Sequence, residues 1–79
     1  MDYEDAVLER VGVRRADGLI VTTGHDATNM YIVLSARVLN PGLYIVSRAV
    51  DDASVTKLIR AGANRAISPY AIGGHGWPT

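Results

Sequence analysis

The sequence predicts an α/β fold in the order αβαβαβ, with its three strands in one parallel sheet. Three observations carry that expectation. Short apolar runs rich in β-branched residues, GLIVTT at 18–23 and LYIVSRAV at 43–50, alternate with segments of helical period. The intervening segments are long enough to be helical crossovers, which join parallel neighbours in a right-handed sense. Finally, LERVGVRRA at 8–16 overlays LIRAGANRA at 58–66, so that Leu8/Leu58, Arg10/Arg60, Gly12/Gly62, Arg15/Arg65 and Ala16/Ala66 coincide. Each copy places helix formers before a glycine able to close a helix in the left-handed conformation, and a short apolar stretch follows. Two copies are too few for a solenoid, which needs three or more, so an alternating layout accounts for them better.

The elements follow from the punctuation. The first helix is expected over Tyr3 to Val11, with Ala6, Val7 and Val11 at helical spacing and Gly12 as the stop. Gly18 to Thr23 reads as a strand covered on both faces. A turn at Gly24-His25-Asp26 comes next, and Asp26 is expected to cap the second helix by accepting from its free N–H groups. That helix spans Ala27 to Leu39 and stops at Asn40-Pro41-Gly42, because proline disfavours helical geometry in the residue before it. Leu43 to Val50 forms the second strand. Asp51 or Asp52 caps a third helix that reaches Ala61, with Gly62 behind it, and Arg65 to Ser68 forms a short third strand ending at Pro69.

Size and charge narrow the function classes. A chain of 79 residues makes a single domain, and one this short buries only about 60% of its unfolded surface. Hydrophobic residues at 48% and charged residues at 20% describe a globular protein rather than a disordered one. Eight basic and eight acidic side chains cancel, leaving no electrostatic footprint for nucleic acid or an anionic membrane. The absence of cysteine excludes disulfides and thiolate chemistry from these residues. No apolar run approaches the roughly 20 residues of a membrane span, and the acidic start Met1-Asp-Tyr-Glu-Asp lacks the order of a signal peptide.

The middle helix points to a partner. In ATNMYIVLSARVL, apolar residues Met30, Tyr31, Ile32, Val33, Leu34, Ala36, Val38 and Leu39 surround nearly the whole circumference. A helix apolar on every side is normally buried on every side. One sheet face covers only one flank, so the other is expected to meet another subunit. Leu34 is placed among the buried positions, and Leu34→Asp is therefore expected to unfold the chain.

The segments RADGLIVTTGHDATNMYIVLSARVLNPGLYIVSRAVDD and LIRAGANRAISPYAIGG resemble the RCK domain, the regulator of K⁺ conductance also called TrkA-N, over residues 5 to 74 without a gap. The resemblance implies a partial Rossmann-like fold that binds NAD(H) or the adenine nucleotides ATP and ADP. It also implies a regulatory subunit on the cytoplasmic side of a Trk or Ktr potassium transporter or potassium channel, at the inner face of the plasma membrane through its pore-forming partner. Homo-oligomers would form through helices 27–39 and 52–61. No contact with nucleic acid and no direct membrane insertion are expected.

Departures from the family pattern shape the rest. In such folds pyrophosphate rests on a G-x-G-x-x-G turn and an acid some 20 residues later holds the ribose. This chain has neither, so residues 1–79 read as a single partial domain missing its first βαβ unit, with 75–79 a disordered tail and nucleotide affinity weak. Calcium-gated relatives carry carboxylates at strand ends that correspond here to Thr22, Ser47 and Ala49. A divalent-cation site of that type is disfavoured, because hard cations need several oxygen ligands.

Candidate contacts to the adenosine part of a nucleotide gather where strands end. Thr22, Thr23, Gly24 and Asp26 lie at the ligand edge of a parallel sheet, and they also read simply as a strand end, a turn and a cap. Arg48 ends the second strand, where its guanidinium suits a phosphate. The competing reading is an ion pair with Asp51, Asp52 or Glu4. His25 and His75 have no neighbouring ligand set and read as solvated. Ser35, Ser47, Ser54 and Ser68 stand in no nucleophile motif, so no catalytic residue and no metal ligand is expected. The alternatives are a fragment of an NAD(P)-dependent oxidoreductase, which shares this half-fold, and a fragment that only self-associates.

Overall fold

A computed structural model describes Leu8 and residues 12–69. Three strands, β1 (Gly18–Val21), β2 (Tyr44–Arg48) and β3 (Arg65–Ile67), alternate with two helices, α1 (Asp26–Leu39) and α2 (Asp52–Ala61). The sheet is parallel throughout in the order β1-β2-β3. Gly18 pairs with Tyr44 and Val21 with Ser47, while Val46 pairs with Arg65 and Arg48 with Ile67. This is the α/β parallel architecture expected from the alternation of short apolar runs and helical segments. Of the expected first helix, Leu8 alone is described, and it is helical and buried. The other residues of 3–11 lie outside the described residues, as does the segment 75–79.

Period-two alternation sorts the strands into two faces. Val21, Ile45, Ser47 and Ala49 are buried on the face that receives the helices, together with Val33 and Ala36 of α1 and Leu58 of α2. Leu8, Val13, Leu43 and Ala63 complete the core. The opposite face presents Ile20, Tyr44, Arg48 and Ile67 to solvent, with Ile20 73% exposed. The expectation that β1 is covered on both faces is therefore corrected. Both described helices pack on one side, and the apolar run GLIV does not distinguish a strand covered twice from one covered once.

The internal similarity proves to be a shared helix closure. Gly12 has φ +80° and Gly62 has φ +125°, the only positive values among the described residues. In each copy the residue after glycine donates back across the turn: Val13 N–H to the Leu8 carbonyl at 3.1 Å, and Ala63 N–H to the Leu58 carbonyl at 3.0 Å. Such six-to-one bonds satisfy carbonyls that the end of a helix leaves unpaired. The leucine of each copy is buried beneath its closure.

Polar side chains hold the loops at that same end of the sheet, where the strands begin. Arg37, in the last turn of α1, donates to the carbonyls of Pro41 at 2.8 Å, Leu43 at 2.6 Å and Gly62 at 2.6 Å, and to Asn64 Oδ1 at 3.0 Å. Asn64 Oδ1 also accepts from the Ile45 N–H at 2.7 Å. Asn40 ends α1 in extended conformation and donates to the carbonyls of Val13 and Ala16. At the start of α2, Asp51 is the cap and accepts from Ser54 N–H at 2.9 Å.

Candidate functional site

Strands in a parallel sheet all end on the same edge, which brings the β1–α1 turn beside the β2–α2 turn. Asn29 occupies the junction. It lies one turn into α1 and is fully buried. Its Oδ1 accepts from Thr23 N–H at 3.1 Å and from the Thr23 hydroxyl at 2.6 Å. Its Nδ2 donates to the Thr23 carbonyl at 3.1 Å and to the Arg48 carbonyl at 3.0 Å. Two acceptor sites and two donor hydrogens are thus all used, and no other orientation of the amide satisfies them.

Asp26 reaches the same strand end from the preceding turn. It was expected to cap α1, but His25 is the N-cap residue and supplies no side-chain cap. Asp26 instead opens the helix, and its Oδ1 accepts from the Val50 N–H at 2.7 Å. The boundary is one residue earlier than the sequence implied, and that residue turns the carboxylate from its own helix toward the loop after β2. The first turn of α1 consequently holds the exits of both strands, Asn29 on Thr23 and Arg48 and Asp26 on Val50.

The remaining candidates divide into engaged and free groups. Thr23 is committed to Asn29, and its hydroxyl also accepts from His25 N–H at 3.3 Å. Gly24 is exposed and its surroundings would admit a Cβ. Thr22 and Arg48 lie on the open side of the sheet, where they line a groove of about 480 Å³ with Ile20, Val46, Ser47, Ile67 and Pro69. The Ser47 hydroxyl is turned to the Arg48 carbonyl at 3.1 Å. The Arg48 guanidinium has no hydrogen-bond or ion-pair partner among the described residues. The ion pair with Asp51 or Asp52 is absent, and Glu4 lies outside the described residues. The edge therefore offers an apolar floor and an exposed cation, which suits a ligand with a flat or apolar body and a negative group.

The ionisation of Asp51 is displaced. The backbone N–H and hydroxyl of Ser54 hold its carboxyl below the ordinary value of 3.8, with Lys57 adding to the effect. Its role is structural, at the start of α2. Among the described residues no group of His, Asp and Glu side chains could hold a metal ion. None of their helices is long and apolar enough to cross a membrane.

Sequence reasoning found the edge but missed Asn29, which carries most of its hydrogen bonds. One signal was available: a lone asparagine one turn into an otherwise apolar helix, immediately before the run Met30 to Leu34. Asparagine is a poor helix former and needs a local reason to be there.

Comparison with known families gives this edge its context. The TrkA-N domain model matches residues 3–69. The chain belongs to the TrkA-N family. Over 70 residues this TrkA-N chain is 46% identical to Potassium channel protein 1 of Methanocaldococcus jannaschii, a match covering 89% of the chain and 21% of that protein. Among solved structures, the GsuK RCK domain superposes with a TM-score of 0.76 at 36% identity over 85% of this chain and 15% of that one. Related GsuK structures are described as bound to NAD, with TM-score 0.73 and 41% identity over 77% of this chain and 11% of that one, and to ADP, with 0.78 and 39% over 84% and 18%. The TrkA-N domain of the inner membrane protein ybaL from Escherichia coli matches with a TM-score of 0.78 at 27% identity, over 87% of this chain and 53% of that one. The chain thus spans about a fifth of the curated relative and carries the Rossmann-like RCK fold. That a relative is named a potassium channel protein agrees with the resemblance read from residues 5 to 74.

Proposed function

We propose that this chain is part of a cytoplasmic regulatory module that controls potassium transport by binding a nucleotide at the carboxyl edge of its sheet. The observation that carries the reading is the Arg48 guanidinium, unpartnered among the described residues, beside Thr22 at that edge, in a family whose GsuK member is described with NAD and with ADP. In the assembled regulator, NAD(H), ATP or ADP would favour whichever ring arrangement binds it more tightly, and that difference in affinity is what biases the pore of a Trk or Ktr transporter or potassium channel. Residues 1–79 act as one partial domain. The sequence contains no G-x-G-x-x-G turn, so these residues alone grip the adenosine side of a nucleotide and bind it weakly. Subunits pair through α1 and α2. The reading assigns no catalytic role, and an oxidoreductase fragment gains no support from channel relatives.

Titration with ADP and NADH, followed through backbone amide resonances, tests the proposal. Expected are shifts at residues 22–26 and 48–50 that grow without saturating below roughly millimolar ligand. No shift at either segment overturns the nucleotide reading. Micromolar affinity by calorimetry overturns the requirement for a glycine-rich cradle.

A further inference from the structure

We propose that Asn29 is the positioning residue of the ligand edge, setting the separation of Thr22 and Arg48 and thereby the affinity for a nucleotide. The inference rests on the nucleotide reading above but comes from a different observation. A fully buried amide spends all four of its hydrogen bonds on the ends of two strands, two of them on backbone carbonyls, one in each strand end. A side chain needed only to fill the α1–sheet contact would be apolar, as Val33 and Ala36 are. Among the described residues neither the Thr22 side chain nor the Arg48 guanidinium has a partner that would fix it. Their positions depend on the backbone from which they project, and at Thr23 and Arg48 that backbone is held by Asn29. Sites of this kind bind well only when supporting groups fix the contacting ones in advance.

The discriminating variant is Asn29→Asp, which keeps the shape and both acceptor bonds but, when ionised, cannot donate to the carbonyls of Thr23 and Arg48. At neutral pH the two carbonyls are left facing a carboxylate and the strand ends part. Protonation returns one donor. The ionisable side chains at this edge are His25, Asp26, Arg48, Asp51 and Asp52, and burial raises the introduced carboxyl above the ordinary aspartate value of about 3.9. On acidification the amide resonances of Thr23 and residues 48–50 should therefore move back toward wild type through a midpoint above that value, while those of Val33 and Leu58 stay in place. At neutral pH the shift produced by a fixed, subsaturating ADP concentration should fall about tenfold. Wild-type resonances and a wild-type ADP response at neutral pH overturn the proposal. Should Asn29→Asp not fold, Asn29→Ser decides: its hydroxyl is too short to bridge both strands, so a folded chain of lower melting temperature with a tenfold weaker ADP response is expected, and an unchanged response overturns the proposal. If the wild-type chain shows no ADP response at all, the nucleotide reading fails, and the ligand-free resonances of Asn29→Asp alone decide whether Asn29 positions the edge.

Discussion

Single side chains show how far polarity and burial diverge from simple pattern. Val33 and Leu34 are neighbours in the apolar run of α1, yet Val33 is fully buried and Leu34 is 48% exposed. Unfolding by Leu34→Asp was the sequence expectation, and the structure corrects it, because an aspartate there keeps its hydration. Val33→Asp should unfold the chain, since an unpaired buried charge costs several kcal/mol; circular dichroism at neutral pH should show helix lost in Val33→Asp and retained in Leu34→Asp. Asp51 adds a pH dependence of known sign. Its folded carboxyl titrates below the ordinary value, so its contribution is fully present above that value and is lost as pH falls through the lowered one. Hydrogen-exchange protection at the first turn of α2 should fall below about pH 4 in the wild type, and be reduced already at neutral pH in Asp51→Ala. The Asp51 cap was legible because an acid precedes a helical run. Asn29 was not, because its partners Thr23 and Arg48 come together only once the strands are paired.

Among the elements, boundaries and closures were read with unequal success. The two glycine stops and the proline stop were visible because each rests on a local backbone rule, and the structure shows the same six-to-one bond at both glycines. Strand ends were overcalled: β1 stops at Val21 rather than Thr23, and β2 spans Tyr44–Arg48 rather than 43–50. Residues such as Thr22 and Thr23 favour extended structure but here leave the ladder to meet α1. Gly62 carries a further constraint that sequence did not convey, because a Cβ there would stand 3.1 Å from Arg37 Cγ as well as at φ +125°. Gly62→Ala should destabilise the chain by about 1–2 kcal/mol from backbone strain, and loosen the Arg37 bonds to Gly62 and Asn64. Gly24→Ala, in open space without positive φ, should leave the melting temperature nearly unchanged. Comparable losses in the two variants would remove the special role of the second closure.

At the scale of the whole molecule, two apolar surfaces remain among the described residues, and their sizes favour one of them for a partner subunit. The open sheet face spans three strands about 4.8 Å apart and about four residues long, on the order of 200 Å². The α1–α2 layer is larger, since a helix of 14 residues is about 21 Å long and two helices side by side are about 20 Å wide. Tyr31, Leu34 and Val38 fall on one stripe of α1, with Val38 80% exposed, and Ile59 is exposed on the adjoining α2. This is the second flank for which the all-apolar helix had implied a partner. The proposed subunit contact then predicts a monomer–dimer equilibrium, measurable by sedimentation, that Leu34→Asp and Val38→Asp shift strongly to monomer while Ile20→Asp and Ile67→Asp leave it unchanged. Such an outcome would leave the groove over Ile20 and Ile67 open at the ligand edge, with association and ligand binding on opposite sides of one sheet. Dissociation by Ile20→Asp with no effect of Leu34→Asp would reverse the two roles.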